Sequence, residues 1–490
     1  MEPIVTAKDI ALVSPIFPLF LTSLIPLTVK VMRNNREQAP ILGLFQALIG
    51  IIISFSLIYL QTVSGSVSAF QNALIFNGSS FWIGATVCMI GIFSIFISYK
   101  NINTRGSQFS EHIFLILVSM IGMLVMAWAN DLIVVFIGLE IMSLAVYVLV
   151  ALSHEQILSK EAAFKYFILG SMSSAIFLYG VALLYGAAGS TYLDSIATVA
   201  VSSGGSGIIF MMGSLLTLIG MLFKVSIFPF HSWTPDVYQG APTSVMAFMS
   251  TGVKVASFVV IIKFIQTGIM ADGGSIFVIL QWLAVLTIIV GNVAAIIQDN
   301  VKRILAYSSI AHSGYILIGV IVVGLGGDSN IGYSSTIFYL ITYCIVNLGM
   351  LSMVSMFEKN EGTQMSVDDL RGLASKRPWL AMAITIMLLS LAGIPPLVGF
   401  FGKFYIFSGA VDMGLYWLAL WGVLGSVISV YYYLRPIVNM YMREPEGDLL
   451  PNTDSFGSLN IALCVFLLVA LGVLAGVFFD NIQNSLIAGL

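Results

Sequence analysis

Glu140, Lys165, Lys224, Lys254 and Lys403 pose the first chemical question, because each falls inside a long apolar run. The chain has 490 residues, 59% of them hydrophobic and 9% charged, whereas a soluble domain carries about a quarter charged residues. Lipid is therefore its main solvent, and an ionisable group at bilayer depth costs roughly 2.5–3.5 kcal/mol on insertion scales. Such groups persist where they move ions or protons, or where they join helices as polar glue. A buried lysine and a carboxylate suit proton transfer, because each biases the protonation of the other. Lys165 lies only a few residues inside the end of its run, so a snorkelled surface lysine is its alternative reading. His312, in "AYSSIAHSGY", can be a hydrogen-bonded core histidine or a proton relay. His231, beside Pro229, more readily shapes and caps a turn. Cys88, Cys344 and Cys464 stand singly, without a CxxC pair. No histidine pair has metal-ligand spacing and no GxGxxG follows a strand, so neither metal nor dinucleotide is expected on this chain.

The elements that must hold these groups are apolar segments of helical length. About fourteen are legible: 10–31, 41–62, 79–98, 112–128, 132–152, 162–187, 208–238, 242–266, 275–298, 302–325, 333–357, 379–410, 415–440 and 457–479. Most have the roughly 20 residues that cross a hydrocarbon core. They are continuous rather than alternating, which excludes a membrane β-barrel. The fold class is an all-α polytopic membrane protein. No signal peptide is evident, since the first segment starts near Ile10 after a lone Lys8 and continues to Val31. "SSGGSG" at 202–207 reads as a flexible outer loop.

Fourteen of the 20 Lys and Arg residues fall in odd-numbered connections. They are Lys30, Arg33 and Arg36; Lys100 and Arg105; Lys160; Lys302 and Arg303; Lys359, Arg371, Lys376 and Arg377; and Arg435 and Arg443. The even-numbered connections hold acids such as Asp194, Asp272, Asp328 and Asp412. The positive-inside rule then places the odd connections in the cytoplasm and both termini outside. Lys263, at the outer end of the eighth span, is expected to snorkel. Lys165, Lys224, Lys254 and Lys403 cannot be placed at a surface so simply. Asp131, Asp236 and Asp299 fall at span ends, and only Glu140 lies near the middle of one.

The segment 208–238 is too long for one straight crossing at about 1.5 Å per residue. Pro229 removes a backbone donor, so the seventh span is expected to break beside Lys224. In the twelfth, "LAGIPPLVGFFGKFYIF", Gly393, Pro395 and Pro396 break the helix and Lys403 follows. Each broken span is fourth in a unit of five, spans 4–8 and 9–13, and an odd unit length makes the second copy inverted. Inverted repeats with discontinuous helices are a transporter design. The chain thus divides into three leading spans (1–111), a first repeat (112–266), a second inverted repeat (275–442) and a closing helix (443–490).

"FKVSIFPFHSWTPDVYQGAPT" (223–243) resembles the hallmark of the subunit N family of bacterial complex I, the proton-pumping NADH:quinone oxidoreductase. The resemblance extends through "GLEIMSLAVYVL" at Glu140, "AAFKYFILGS" at Lys165, "AYSSIAHSGY" at His312, the broken twelfth span and "YYYLRP" at 431–436. Subunits N, M and L of that complex are all similar to Mrp-type sodium/proton antiporter subunits. Three features favour N: the wording "WTPDVYQGAP", a lysine rather than a glutamate in the twelfth span, and no long amphipathic extension. With three leading spans, the chain resembles the full-length bacterial form.

The resemblance implies that Glu140 and Lys224 are paired charges whose separation changes the proton affinity of the lysine. It implies that Lys254 is the central protonatable group, linked through His312 and water to Lys403, which exchanges protons with the outside. Lys165 would tune the pair or feed the inner half-channel. NADH, FMN, iron–sulfur clusters and quinone are expected on or with other subunits, and none on this chain. Expected partners are the other membrane-arm subunits and lipid, not nucleic acid, in the bacterial cytoplasmic (inner) membrane. Two other readings are an Mrp-type antiporter subunit and a structural spacer of the membrane arm.

Overall fold

Backbone polar groups have no water to bond in a bilayer core, so spanning segments must satisfy them internally as helices. The computed structural model describes residues 5–63, 65–103, 108–152, 157–202, 207–267, 275–326, 329–358, 364–445 and 455–488. Arg105, Asp272, Asp328, Lys359 and the 203–206 part of the expected flexible loop lie outside them. A bent pair, α1 (Ala7–Val13) and α2 (Ile16–Met32), comes first, then α3 (Pro40–Val63). A hairpin, β1 (Val67–Ala69) and β2 (Leu74–Phe76), leads to α4 (Gly78–Asn103), α5 (Phe109–Trp128), α6 (Leu132–Ala151) and α7 (Ile157–Ala188). Next are α8 (Leu193–Ser202), α9 (Ile208–Lys224), α10 (Trp233–Gly240), α11 (Thr243–Phe248) and α12 (Lys254–Ile265). The second half comprises α13 (Ser275–Ile296), α14 (Val301–Gly324), α15 (Ser329–Phe357), α16 (Leu373–Lys376), α17 (Pro378–Ala392), α18 (Val398–Asp412) and α19 (Tyr416–Met442). Two helices close the described chain, α20 (Ser455–Val473) and α21 (Ala475–Ala488).

Among the described residues, 11 helices are long and apolar enough to cross a membrane, α11 and α12 counting as one, or 12 with the α1–α2 pair. That pair was expected as one span, 10–31, but bends by 56°. Pro15 lies at the bend, where it has no N–H to continue the ladder. The small hairpin was not expected either; Phe70, Gln71 and Asn72 at its tip adopt left-handed backbone, with φ of 51, 56 and 68°. The most apolar windows of Thr243–Ile265 and Ile331–Phe357 are wholly buried. α12 and α15 therefore form the centre, with α14 beside them. α3, α7 and α19 turn apolar faces outward, through residues such as Ile52, Phe164 and Val427.

Both expected breaks are present and close alike. α9 ends at Lys224; Ser226 takes φ 61°. Its N–H bonds to the Phe223 carbonyl at 3.1 Å, and Ile227 N–H reaches Leu222 O at 3.1 Å. α17 ends with Gly393 at φ 84°. Its N–H reaches Ser390 O at 3.0 Å, and Ile394 N–H reaches Leu389 O at 3.0 Å. Both are Schellman closures, which satisfy the last carbonyls of a helix. Pro229 and Pro396 each stand three residues beyond the left-handed position. A Cβ on Gly393 would sit 3.0 Å from Lys403 Cδ, and left-handed backbone costs an L-residue roughly 1–2 kcal/mol. Gly393→Ala should therefore destabilise the chain by about that amount and displace Lys403, read as earlier thermal loss from detergent-solubilised protein.

Candidate functional site

Lys224 is buried at the C-terminus of α9, where the Schellman turn aims it at α6. Its Nζ donates to Ser143 Oγ and Tyr147 OH, each at 3.0 Å, and lies 5.5 Å from the centre of the Tyr147 ring. Ser143 and Tyr147 are one and two turns beyond Glu140, on the same face of α6. The Glu140 carboxylate itself makes no ion pair among the described residues, and its Oε1 is buried without a hydrogen-bond partner. Lys224 thus meets the two hydroxyls that follow Glu140 along α6 and makes no ion pair with the carboxylate among the described residues.

Lys254 follows a π-helical turn, Met249–Val253, that interrupts the α11–α12 span. A π turn shifts the side-chain register, a geometry common at functional sites. Lys254 Nζ donates to the carbonyl and hydroxyl of Ser309, at 2.5 and 2.6 Å, and to Ser313 Oγ at 2.7 Å. Ser309 Oγ is 2.7 Å from Tyr343 OH. Asn347 Nδ2 bonds Ser250 Oγ of the π turn at 2.7 Å and Tyr343 OH at 3.3 Å. Three residues after Ser309, one turn along α14, His312 has Nδ1 2.7 Å from Tyr339 OH and Nε2 3.1 Å from Tyr433 OH. Tyr433 OH is also 2.5 Å from Ser308 Oγ.

Lys403 donates to the last carbonyls of α17, Leu391 O at 3.0 Å and Ala392 O at 3.1 Å, and to Ser426 Oγ at 2.8 Å. A cation suits that place, because a helix C-terminus carries partial negative charge. Its Nζ stands 5.1 Å from the Tyr315 ring centre. α14 therefore supplies Ser309 and Ser313 to Lys254, His312 between them, and Tyr315 to Lys403. Lys224, Lys254 and Lys403 are exposed by only 1%, 1% and 4%, and among the described residues their hydrogen-bond acceptors are neutral oxygens.

Lys165 lies elsewhere. It pairs with Glu161 at 2.7 Å and Asp236 at 2.9 Å, and Arg303 shares Asp236 at 3.0 Å. Pro229, His231, Gly393, Pro395 and Pro396 fall in the two breaks. The His231 ring stacks on Phe228 at 5.5 Å, and its carbonyl accepts Thr234 N–H at 3.0 Å. Its Nδ1 is buried without a hydrogen-bond partner. Two lysines assigned to surfaces by sequence make specific contacts, Lys302 buried and Lys263 half-buried. The Nζ of Lys263, expected to snorkel, caps the C-terminus of α5 through Ala127 O at 2.5 Å and Ala129 O at 3.1 Å. Lys302 sits in the first turn of α14 and pairs with Glu358 at 2.6 Å. Sequence reading missed the hydroxyls of Ser143, Tyr147, Tyr339, Tyr343 and Tyr433. Helical spacing from Glu140 could have found the first two. Among the described residues, no cluster of three His, Cys, Asp or Glu could hold a metal.

A family model described as NADH:quinone oxidoreductase/Mrp antiporter, transmembrane, matches residues 129–429, which include all these lysines. NADH-quinone oxidoreductase subunit N of Bdellovibrio bacteriovorus is 48% identical, over 98% of this chain and 99% of its own length. A chain in the structure of respiratory complex I from Thermus thermophilus with bound aureothin is 30% identical. It superposes with a TM-score of 0.81 over 95% of this chain and 98% of that one. A chain of the Mrp complex from Dietzia sp., 19% identical, has the same fold, with a TM-score of 0.83 over 98% of this chain and 97% of that one. This chain belongs to the NADH:quinone oxidoreductase/Mrp antiporter transmembrane family and, within it, to the NADH-quinone oxidoreductase subunit N branch.

Proposed function

We propose that this chain is a proton-translocating membrane-arm subunit of an NADH:quinone oxidoreductase, coupling electron transfer in other subunits to proton export. The observation that carries this reading is the row of three buried lysines, each held among the described residues by neutral oxygens. A lysine in that setting releases a proton as ammonium or takes one up as the neutral amine when a neighbouring charge moves. Glu140 is the movable charge nearest Lys224 along α6. The Ser309–His312–Tyr433 cluster carries protons between Lys254 and Lys403, and Lys403 exchanges them with the outer side. Lys165, in its ion cluster with Asp236, feeds the inner side. His231 shapes the first break. NADH oxidation, flavin, iron–sulfur clusters and quinone reduction belong to other subunits.

The same reading extends to the architecture. The two matched Schellman closures, each with a proline three residues on, support two five-helix repeats at 112–266 and 275–442, the second inverted. Fourteen crossings result when the divided stretches α9–α10 and α17–α18 each count as one. Three leading spans occupy 1–111 and a closing helix 443–490. The odd connections face the cytoplasm and both termini face outward, by the excess of basic residues in the former.

Lys224→Ala and Glu140→Ala should each lower NADH-driven proton uptake into vesicles carrying the assembled complex, with flavin-site NADH oxidation by an artificial acceptor unchanged. Removing a positioned proton-transfer group typically costs about 10²-fold or more in that step. Normal uptake in both variants would overturn the assigned roles. Purification in mild detergent tests the wider assignment: flavin and iron–sulfur subunits should copurify, and their absence would point to an antiporter instead.

A further inference from the structure

Lys224 donates to hydroxyls of α6 and Lys254 to oxygens of α14, so a proton passing from one to the other must cross between helices. Three buried tyrosines bridge that gap: Tyr147 on α6, Tyr166 on α7 and Tyr238 on α10. Their rings belong to one aromatic stack. Tyr147 meets Tyr166 edge-on at 4.7 Å, Tyr166 lies on Trp233 at 4.7 Å, and Trp233 meets Tyr238 edge-on at 6.1 Å. α10 packs on both α7 and α14, which brings Tyr238 from the first lysine's surroundings to the second's.

The hydroxyls follow the same order as the rings. That of Tyr147 accepts from Lys224 at 3.0 Å and lies against α7 at Gly170, where a Cβ would overlap it. Gly170 is one turn beyond Tyr166. The Tyr166 hydroxyl is within electrostatic reach of those of Tyr147 and Tyr238. The Tyr238 hydroxyl is turned toward Ser309, whose Oγ accepts from Lys254 at 2.6 Å. Yet it is buried with no hydrogen-bond partner among the described residues. An unpaired buried hydroxyl is destabilising, and phenylalanine would fill the stack as well. That oxygen therefore calls for a role beyond packing.

We propose that Tyr147, Tyr166 and Tyr238 form a hydroxyl relay between Lys224 and Lys254, given the proton-translocating role inferred above, with Tyr238 handing protons to Ser309. In one transfer an N–H bond of the Lys224 ammonium breaks and one forms on the neutral Lys254 amine. Each hydroxyl between them takes a proton on its oxygen as it releases its own, and water spans any gap wider than a hydrogen bond. No phenolate accumulates.

The test measures protons taken up per NADH oxidised by vesicles carrying the assembled complex, with K254R as the reference. Y166F and Y238F each remove one oxygen and keep the ring. Both should lower the flux carried by this chain about 10²-fold, as for other positioned proton-transfer groups. The purified Y238F complex should nonetheless lose this chain at an unchanged or higher temperature, because no hydrogen bond is broken. A structural hydroxyl predicts the reverse, normal uptake with earlier thermal loss. If K254R is impaired while Y166F and Y238F pump normally, the relay is wrong and the wider reading stands. If K254R also pumps normally, the proton-translocating reading falls with it.

Discussion

Lys254→Ala and Lys254→Arg should both lower the proton flux carried by this chain by about 10²-fold, the usual contribution of a positioned proton-transfer group. The readout is protons taken up per NADH oxidised, with assembly checked by copurification. The alanine variant removes the ammonium and leaves Ser309 and Ser313 without their shared donor. The arginine variant is the sharper test, because a guanidinium keeps the charge but does not deprotonate in proteins. If Lys254 merely holds α12 against α14, arginine should rescue much of the flux. If it exchanges protons, arginine should be as poor as alanine while the complex still assembles. Slower NADH oxidation at a constant proton ratio would mean tight coupling, and a lower ratio would mean slip. Normal uptake with arginine would remove Lys254 from the proton path.

How far the site could be read in advance depended on the range of the interactions. Lys224, Lys254 and Lys403 stand out because each lies deep within a long apolar run, which local hydropathy alone reveals. Pro229, Pro395 and Pro396 mark the breaks for an equally local reason, the missing backbone donor. Gly393 also signals its left-handed closure. Ser226 does not, since serine carries no comparable preference, and the two breaks look less alike in sequence than in structure. The π turn before Lys254 has no sequence signature at all. Tyr339, Tyr343 and Tyr433 read as ordinary membrane tyrosines until helices distant in sequence bring their hydroxyls to His312 and Ser309. The partners of Lys263 and Lys302 are hidden from the sequence in the same way. Lys263 meets Ala127 O from 136 residues away, and a rule that counts charges near span ends cannot see which neighbour covers them.

Glu358→Ala should be the most destabilising single change outside the lysine row. Lys302 and Glu358 are joined at 2.6 Å with side chains only 11% and 12% exposed. The same carboxylate accepts from Thr243 Oγ1 at 2.5 Å, and Lys302 also donates to Ala241 O at 3.2 Å. The pair therefore ties the start of α14 and the end of α15 to the start of α11, the span that carries Lys254. Removing one partner of a buried pair typically costs about 3–5 kcal/mol, because the remaining charge is left uncompensated, whereas replacing both with apolar groups of similar volume is often nearly neutral. Glu358→Ala should accordingly lose this chain from the complex at much lower temperature than wild type. The double variant K302M/E358M should recover most of that loss. The fraction of chain still assembled after graded heating measures both. Equal destabilisation in the single and double variants would mean that the pair, and not the stranded charge, supplies the stability. In that case the fixed start of α11, rather than charge compensation, would be what Lys302 and Glu358 provide for Lys254.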